Sequence, residues 1–399
     1  MSSSTCLMPR SSKYDQRGVS ASKEEVHAAI RGLDRGLYPE AFCRVLPDIA
    51  AHDPAYCNLL HADTAGTKAV LAYLYWRETG DLSVWAGIVQ DAIVMNLDDL
   101  ACAGHTGEVL LSNTIGRNRH HIPGEVLSCL IQAAADFAEA MRPWGVHLHL
   151  AGGETADVGD LVRTLDVGFT AFARMRRSEV VVNRIQPGDV VVGLAAHGQA
   201  AYEHQYNSGI GSNGLTSARH DVLCSEYARQ YPESYDPAVP PEWVYNGRHR
   251  LTDAMEVEGK WLTVGQLLLS PTRTYVPVLR AFLAHCREHV HGLIHCTGGG
   301  QTKVLKFLKN AHVIKDHLFE PPAVFHLIQQ SGQTDWAEMY QVFNMGHRLE
   351  VYTSSAVAAE LVQIAADFGI AAQVVGRVEA CEQARVTLHS PYGTFSYTE

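Results

Sequence analysis

From Arg163 to Met175 the chain sets an apolar residue at every second position, with Leu165, Val167, Phe169, Ala171 and Ala173 on one side. A period of two held this long settles as a half-buried strand, because successive side chains of a strand point to opposite faces. Such a strand needs partners and a covering layer, and the flanking sequence supplies both. Asn58 to Ala62, Glu108 to Thr114 and Val146 to Leu150 read as strands, while Ala69 to Trp76, Trp85 to Ala103 and Glu125 to Met141 carry helical spacing. Ser22-Lys23-Glu24-Glu25 forms a capping box for a helix reaching about Leu33.

The polar stretch from Arg176 to Gly188 reads as a domain seam, after which Val190 to Ala195 restarts a buried strand. Beyond it come a Gly-rich loop (198 to 214), a helix from Leu215 and an irregular tract from Tyr231 to about Trp261. A helix after Pro271, a strand into Ile294 and the turn Thr297-Gly298-Gly299-Gly300 follow, and helix and strand alternate to the end. The expected architecture is two α/β (α+β) domains with mixed sheets, over residues 13–183 and 184–399, behind a disordered tail of residues 1–12.

Composition narrows the function. With 399 residues, 46% of them hydrophobic and 19% charged, the chain has the material for two cores and too much for disorder. A formal net charge of -11 argues against coating nucleic acid or an anionic membrane. Nine cysteines without a C-x-x-C pair, and no apolar run of membrane-spanning length, lead to the expectation of a soluble, cytoplasmic protein, to which small anionic ligands stay open.

Several loops carry candidate chemistry. Asp91, Asp98 and Asp99 share one helix at i, i+7 and i+8, so the first two nearly eclipse and the third lies about 80° round. Acids among Ile88, Val89, Ile93, Val94 and Leu97 need a cation or solvent, and carboxylates are what Mg²⁺ prefers; a solvated acidic stripe is the alternative. Asp63 stands where a strand ends and Thr64-Ala65-Gly66-Thr67-Lys68 begins, a place where ligands collect in open sheets. Gly152-Gly153-Glu154-Thr155 closes a strand with two glycines and a further acid, or makes an ordinary turn. Ser212-Asn213-Gly214 and Thr297-Gly298-Gly299 set amides at helix starts, where anions are favoured, although a hinge and a flexible turn fit as well. His295, His204 and His347 are candidate acid/base groups diluted by 21 histidines, and Cys296 reads as a small buried hydrophobe.

In order, these loops resemble the aminoimidazole ribonucleotide synthetase (phosphoribosylformylglycinamidine cyclo-ligase) family. Tyr14 to Val19 is similar to its Y-x-x-x-G-V, Asp63 to Lys68 to D-G-V-G-T-K, and Asp91 to Leu100 to D-L-x-x-x-x-x-N-D-L. Gly152 to Ala156 matches G-G-E-T-A, Ser212 to Gly214 the end of P-H-S-N-G, and Leu269 to Tyr275 L-A-P-T-R-x-Y. His295 to Gly300 resembles H-L-T-G-G-G, and Glu338 to Gly346 resembles E-M-Y-x-x-F-N-x-G.

The resemblance implies a homodimer pairing through the N-terminal domain and ATP-dependent ring closure of formylglycinamidine ribonucleotide, with ADP and phosphate released. It implies Asp63, Asp91, Asp99 and Glu154 around Mg²⁺, catalytic roles for Lys68, His295 and Asp99, and phosphate contacts from Gly66, Thr67, Gly152, Gly153, Ser212, Asn213, Gly214, Thr297, Gly298 and Gly299.

Departures fall on the same loops. Thr64 replaces a glycine, Asp98 the asparagine of N-D-L, and Gly211 the histidine of P-H-S-N-G after an inserted Ala201 to Ser208. Gln301-Thr302-Lys303 follows the triple glycine, and His347-Arg348 stands where the family continues V-G-M. His204 or His347 is a candidate stand-in for the missing histidine. Other ATP-dependent synthetases or kinases of the superfamily, and a non-catalytic nucleotide binder, are the rival readings.

Overall fold

The computed structural model of the chain describes residues 13–19, 28–30 and 32–398. The tail expected over residues 1–12, and most of the helix expected after Ser22, lie outside the described residues.

A first sheet has the order β1-β2-β5-β3-β4, built from Val45–Pro47 (β1), Tyr56–Thr64 (β2), Val109–Arg117 (β3), Leu148–Asp157 (β4) and Leu165–Arg176 (β5). The alternating stretch is β5, between β2 and β3 and antiparallel to both. Its odd-numbered residues face inward and are buried, Val167, Phe169, Ala171 and Ala173 among them.

The expected helices follow as Lys68–Thr79 (α1), Val84–Cys102 (α2) and Gly124–Met141 (α3). Helix α2 packs on β2 and β5 of this sheet, on α3, and on the β9 strand of the second sheet. Enclosed on all sides, it is buried almost throughout, the condition of a helix that is apolar all round. Asp91 and Asp98 on it are both 0% exposed.

The other face of the first sheet is bare. Leu60, Phe172 and Leu110 stand in one cross-strand row on it, with Leu60 58% and Leu110 46% exposed.

The second sheet has the order β14-β13-β10-β12-β6-β11-β9. Its middle comprises Val190–Ala195 (β6), His347–Thr353 (β11), Val290–His295 (β9) and Ala372–Ala380 (β12), with Ala311–Lys315 (β10), Arg385–Ser390 (β13) and Gly393–Thr398 (β14) beyond. Helix Leu215–Val222 (α4) leaves the Gly-rich loop and Val276–Cys286 (α5) follows Pro271. The tract from Tyr231 holds two 3-10 turns and the hairpin Ala254–Val257 and Lys260–Thr263.

One strand differs from expectation. The strand expected to stop at Leu150 runs to Asp157, taking Gly152, Gly153 and Glu154 into β4, the edge of the sheet. Its pairing with β3 shifts register between Leu111 and Asn113, and Gly152 adopts φ 86° there. The glycines make a bulge, which admits an extra residue at the cost of a left-handed backbone, and so the strand continues.

Candidate active site

Loops from both domains meet at the ends of β2, β9 and α1. Lys68 opens α1 at 0% exposure, and its Nζ donates to Asp91 Oδ1 (2.9 Å), the Gly211 carbonyl (3.0 Å) and the Ser270 carbonyl (2.6 Å). An ammonium has three donors, and all are engaged. Burial pushes the Lys68 pKa down, and the Asp91 carboxylate partly offsets this. Lys68 therefore locks three motif loops together, and with all three donors engaged it has none left for the catalytic role expected of it. Asp91 Oδ1 also accepts from the amide (2.8 Å) and hydroxyl (2.5 Å) of Thr272, while its Oδ2 is buried without a partner among the described residues.

Seven residues on, Asp98 Oδ1 accepts from Thr274 Oγ1 (2.7 Å) and the Tyr275 amide (3.0 Å), and Oδ2 faces Arg348 Nη2 at 3.3 Å. Burial raises the Asp98 pKa against the pull of Arg348. Strand β11 shifts register between His347 and Leu349, and a bulge of this kind re-aims a side chain. The Arg348 guanidinium lies between Asp98 and His295, with Nη1 2.6 Å from His295 Nε2.

Asp99 joins the two domains. Its Oδ1 accepts from His295 Nδ1 (2.6 Å) and its Oδ2 from His61 Nε2 (3.1 Å). Burial alone would raise this carboxyl, yet the two histidines hold it well below the usual carboxylate range. His61 Nδ1 meets Asn96 Oδ1 at 2.9 Å. Asn96 cannot turn round, because its Nδ2 donates to the carbonyls of Ala92 (2.9 Å) and Phe169 (3.1 Å). Both His61 nitrogens thus face acceptors, which requires the imidazolium. Burial opposes the charge, but Asp99 and Asn96 prevail and raise the His61 pKa to about 9.

On the open side stand three turns. Gly66-Thr67, Ser212-Asn213-Gly214 and Gly298-Gly299 all retain solvent exposure. Thr67 and Thr216 hydroxyls meet at 2.7 Å, and Ser212 and Thr272 hydroxyls at 3.3 Å, so the first two turns are tied to each other and to the Pro271–Tyr275 loop. Thr297 donates its amide to the His295 carbonyl (2.8 Å), and Gln301 Nε2 to the carbonyls of Asn344 (2.5 Å) and His347 (3.0 Å), fixing the glycine turn. Asp63 lies partly buried beside Asp99, with one oxygen on the Thr64 amide (2.7 Å), and burial raises its pKa.

Glu154, Gly152 and Gly153 do not join these loops. Asp63 pairs with Phe169, Phe169 with Asn113 and Asn113 with Gly153, so the G-G-E segment lies three strand spacings away, about 14 Å. The four acids expected around Mg²⁺ do not form a cage: Asp63 accepts from the Thr64 amide, Asp91 is held by Lys68, Asp99 by two histidines, and Glu154 is on the far edge. Among the described residues no three Asp, Glu, His or Cys side chains are grouped to hold a metal ion.

Neither stand-in histidine faces the acids. His204 is exposed, and His347 is fully buried with its Nε2 on Glu350 at 3.0 Å. The inserted segment braces the site instead: Glu203 takes Arg273 by both oxygens (3.0 and 2.5 Å), and Asn207 donates to the Pro271 carbonyl (2.7 Å). His61, Asn96 and Glu203 went unnoticed in the sequence. His61 alone carried a signal there, since it shares the inward side of β2 with Asp63. A wider cleft of 820 Å³ beside Arg177 and Arg287 holds none of these residues.

Comparison with known proteins agrees with this arrangement. Residues 45–175 match the N-terminal domain, and 186–389 the C-terminal domain, of the AIR synthase related proteins. A phosphoribosylformylglycinamidine cyclo-ligase of Methanothermobacter thermautotrophicus is 30% identical over 343 residues, covering 84% of this chain and 85% of the relative. One of Methanococcus maripaludis is 27% identical over 375 residues, covering 92% of each. A chain of the HypE-HypF complex shares the fold, with a TM-score of 0.52 at 14% identity over 95% of this chain and 99% of that one. With both domains matched and their motif loops meeting at one place, the chain belongs to the AIR synthase related family.

Proposed function

We propose that this chain is a cytoplasmic ATP-dependent cyclo-ligase that converts formylglycinamidine ribonucleotide to aminoimidazole ribonucleotide, releasing ADP and phosphate. The observation that carries the reading is the convergence of motif loops at residues 63–68, 91–99, 211–216, 270–275, 295–300 and 344–348, bonded to one another across the two domains. The activity named for the relatives supports it.

An amide oxygen leaves only after it has been phosphorylated, and phosphoryl transfer asks a protein chiefly for positioning and charge neutralisation. The turns at Gly66-Thr67, Ser212-Gly214 and Gly298-Gly299 keep solvent exposure and lie open to phosphate oxygens, and the His61 imidazolium adds a fixed positive charge. Lys68, Asp91, Asp98 and Arg348 hold those turns in place from below. Asp63, whose carboxylate accepts from its neighbour's amide and stays partly exposed, is the acid placed to face the reacting amide and amine. Among the described residues the acids do not fit a Mg²⁺ cage.

The chain pairs with a second copy through the bare face of the first sheet, where the row Leu60, Phe172, Leu110 needs cover. No helix among the described residues is long and apolar enough to cross a membrane. A second reading, the same ATP chemistry on another small molecule, is favoured by the Asp98–Arg348 pair and by the tract after Tyr231. ADP release on adding formylglycinamidine ribonucleotide tests the proposal: turnover by the wild type and its loss in Asp63→Asn support it, and no turnover by the wild type overturns it.

A further inference from the structure

The tract from Tyr231 onward, which the family motifs do not account for, is clamped across the seam rather than hanging free. Tyr73 of α1 donates its hydroxyl to Glu233, and Arg219 of α4 donates to the Ser234 carbonyl and the Tyr245 hydroxyl, each at 2.6 Å. Tyr245 in turn bonds Ser234, and its ring meets those of Tyr227 and Tyr235 at 6.2 and 6.0 Å. Arg17 Nε reaches the Trp243 carbonyl at 3.2 Å.

Held in this way, residues 233–239 form one wall of a 370 Å³ recess whose floor is Gly66-Thr67 and Thr216. The recess therefore opens from the same turn that closes the candidate active site. Small-ligand pockets fall in this range of volume, with apolar walls and a few polar groups that set orientation. Val70, Val162 and Val239 supply the former.

Two observations point to what enters. Arg219 lines the recess at 4% exposure, and among the described residues its Nε is buried without an acceptor. With Nη1 on Ser234 and Tyr245, the Arg219 guanidinium keeps a positive charge at the wall of the recess, which favours an anion there. Arg163, exposed at the rim, is a second guanidinium, and paired guanidiniums suit phosphate. Asp166 and Asp236 line the same recess, and carboxylates take the hydroxyls of a ribose.

We propose that this recess binds the phosphorylated-sugar end of the substrate, with Arg163 and Arg219 on the phosphate and Asp166 and Asp236 on the sugar hydroxyls, so that the tract sets specificity. This rests on the reading of the chain as a ribonucleotide-converting enzyme, and it places the ribose 5-phosphate end beside Gly66-Thr67.

Calorimetric titration of the full chain with ribose 5-phosphate, inorganic phosphate and ribose tests it. Ribose 5-phosphate is expected to bind most tightly, and Arg163→Gln and Asp166→Asn, both at exposed positions, to weaken it by about tenfold or more each. Arg219→Lys is expected to weaken it too, and the two rim variants keep the test valid if that variant fails to fold. Affinity for a non-hydrolysable ATP analogue is expected to stay within about twofold. Ribose 5-phosphate binding that is absent, or equal in wild type and both rim variants, overturns the proposal. Binding that follows the recess while formylglycinamidine ribonucleotide gives no ADP overturns the cyclo-ligase reading alone.

Discussion

Arg348 and His295, on adjacent strands of the second sheet, meet with Nη1 2.6 Å from Nε2, and the contact fixes the protonation pattern of the site. A guanidinium only donates, so Nε2 must accept and the proton of His295 sits on Nδ1, facing Asp99 Oδ1 at 2.6 Å. With both nitrogens engaged, His295 orients Asp99 and has no free proton to give, in contrast to the catalytic role expected from the sequence.

Removing the guanidinium strands a fully buried carboxylate. Arg348→Met is expected to destabilise the chain by about 3 to 5 kcal/mol, because Asp98 loses its counter-charge. Asp98→Asn in that background is expected to recover a large part of the loss. Urea unfolding of the two single variants and the double closes the cycle, and strict additivity would show that the pair is not coupled.

His61 makes stability depend on pH. Its folded pKa of about 9 lies above the unfolded value of about 6.5, so its contribution is complete below the latter and disappears as pH rises through the former. His61→Gln is expected to cost on the order of 2 kcal/mol near pH 6 and little at pH 10. Equal losses at both pH values, read from denaturant midpoints, would exclude an imidazolium.

Two glycines of the phosphate turns differ in what surrounds them. A Cβ at Gly214 (φ 76°) would come within 2.4 Å of the Phe343 ring, whereas one at Gly66 (φ 59°) has nothing within 4 Å. Gly66→Ala is expected to cost only the left-handed backbone penalty, about 1 to 2 kcal/mol. Gly214→Ala adds overpacking of about 1 to 3 kcal/mol, which a comparison of thermal midpoints measures.

The exposed row on the first sheet predicts assembly. Sedimentation velocity is expected to give twice the 43.7 kDa chain mass for the wild type and the single-chain mass for Leu60→Glu combined with Leu110→Glu. A wild-type monomer would remove the pairing.

Much of the fold was legible in the chain. The alternation in β5 and the helical spacing of α2 depend only on periodicity and burial, which are local properties, and both elements stand where the sequence put them. Motif order likewise announced most of the loops that converge, with the G-G-E-T-A segment the exception. Hidden in the sequence was the partner of each charge. Asp91, Asp98 and Asp99 read as one acidic set, but Lys68, Arg348 and the histidines at 61 and 295 reach them from other elements and neutralise them separately.

Sequence by itself determined a two-layered, two-sheet chain with glycine turns and carboxylates at strand ends, because side-chain period and turn chemistry act over a few residues. Only the tertiary structure decided that Glu154 lies at a sheet edge, that Lys68 is spent on loop carbonyls, and that Arg348 caps His295. Contacts such as Arg348 with Asp98, 250 positions apart in the chain, depend on distances that no local pattern encodes.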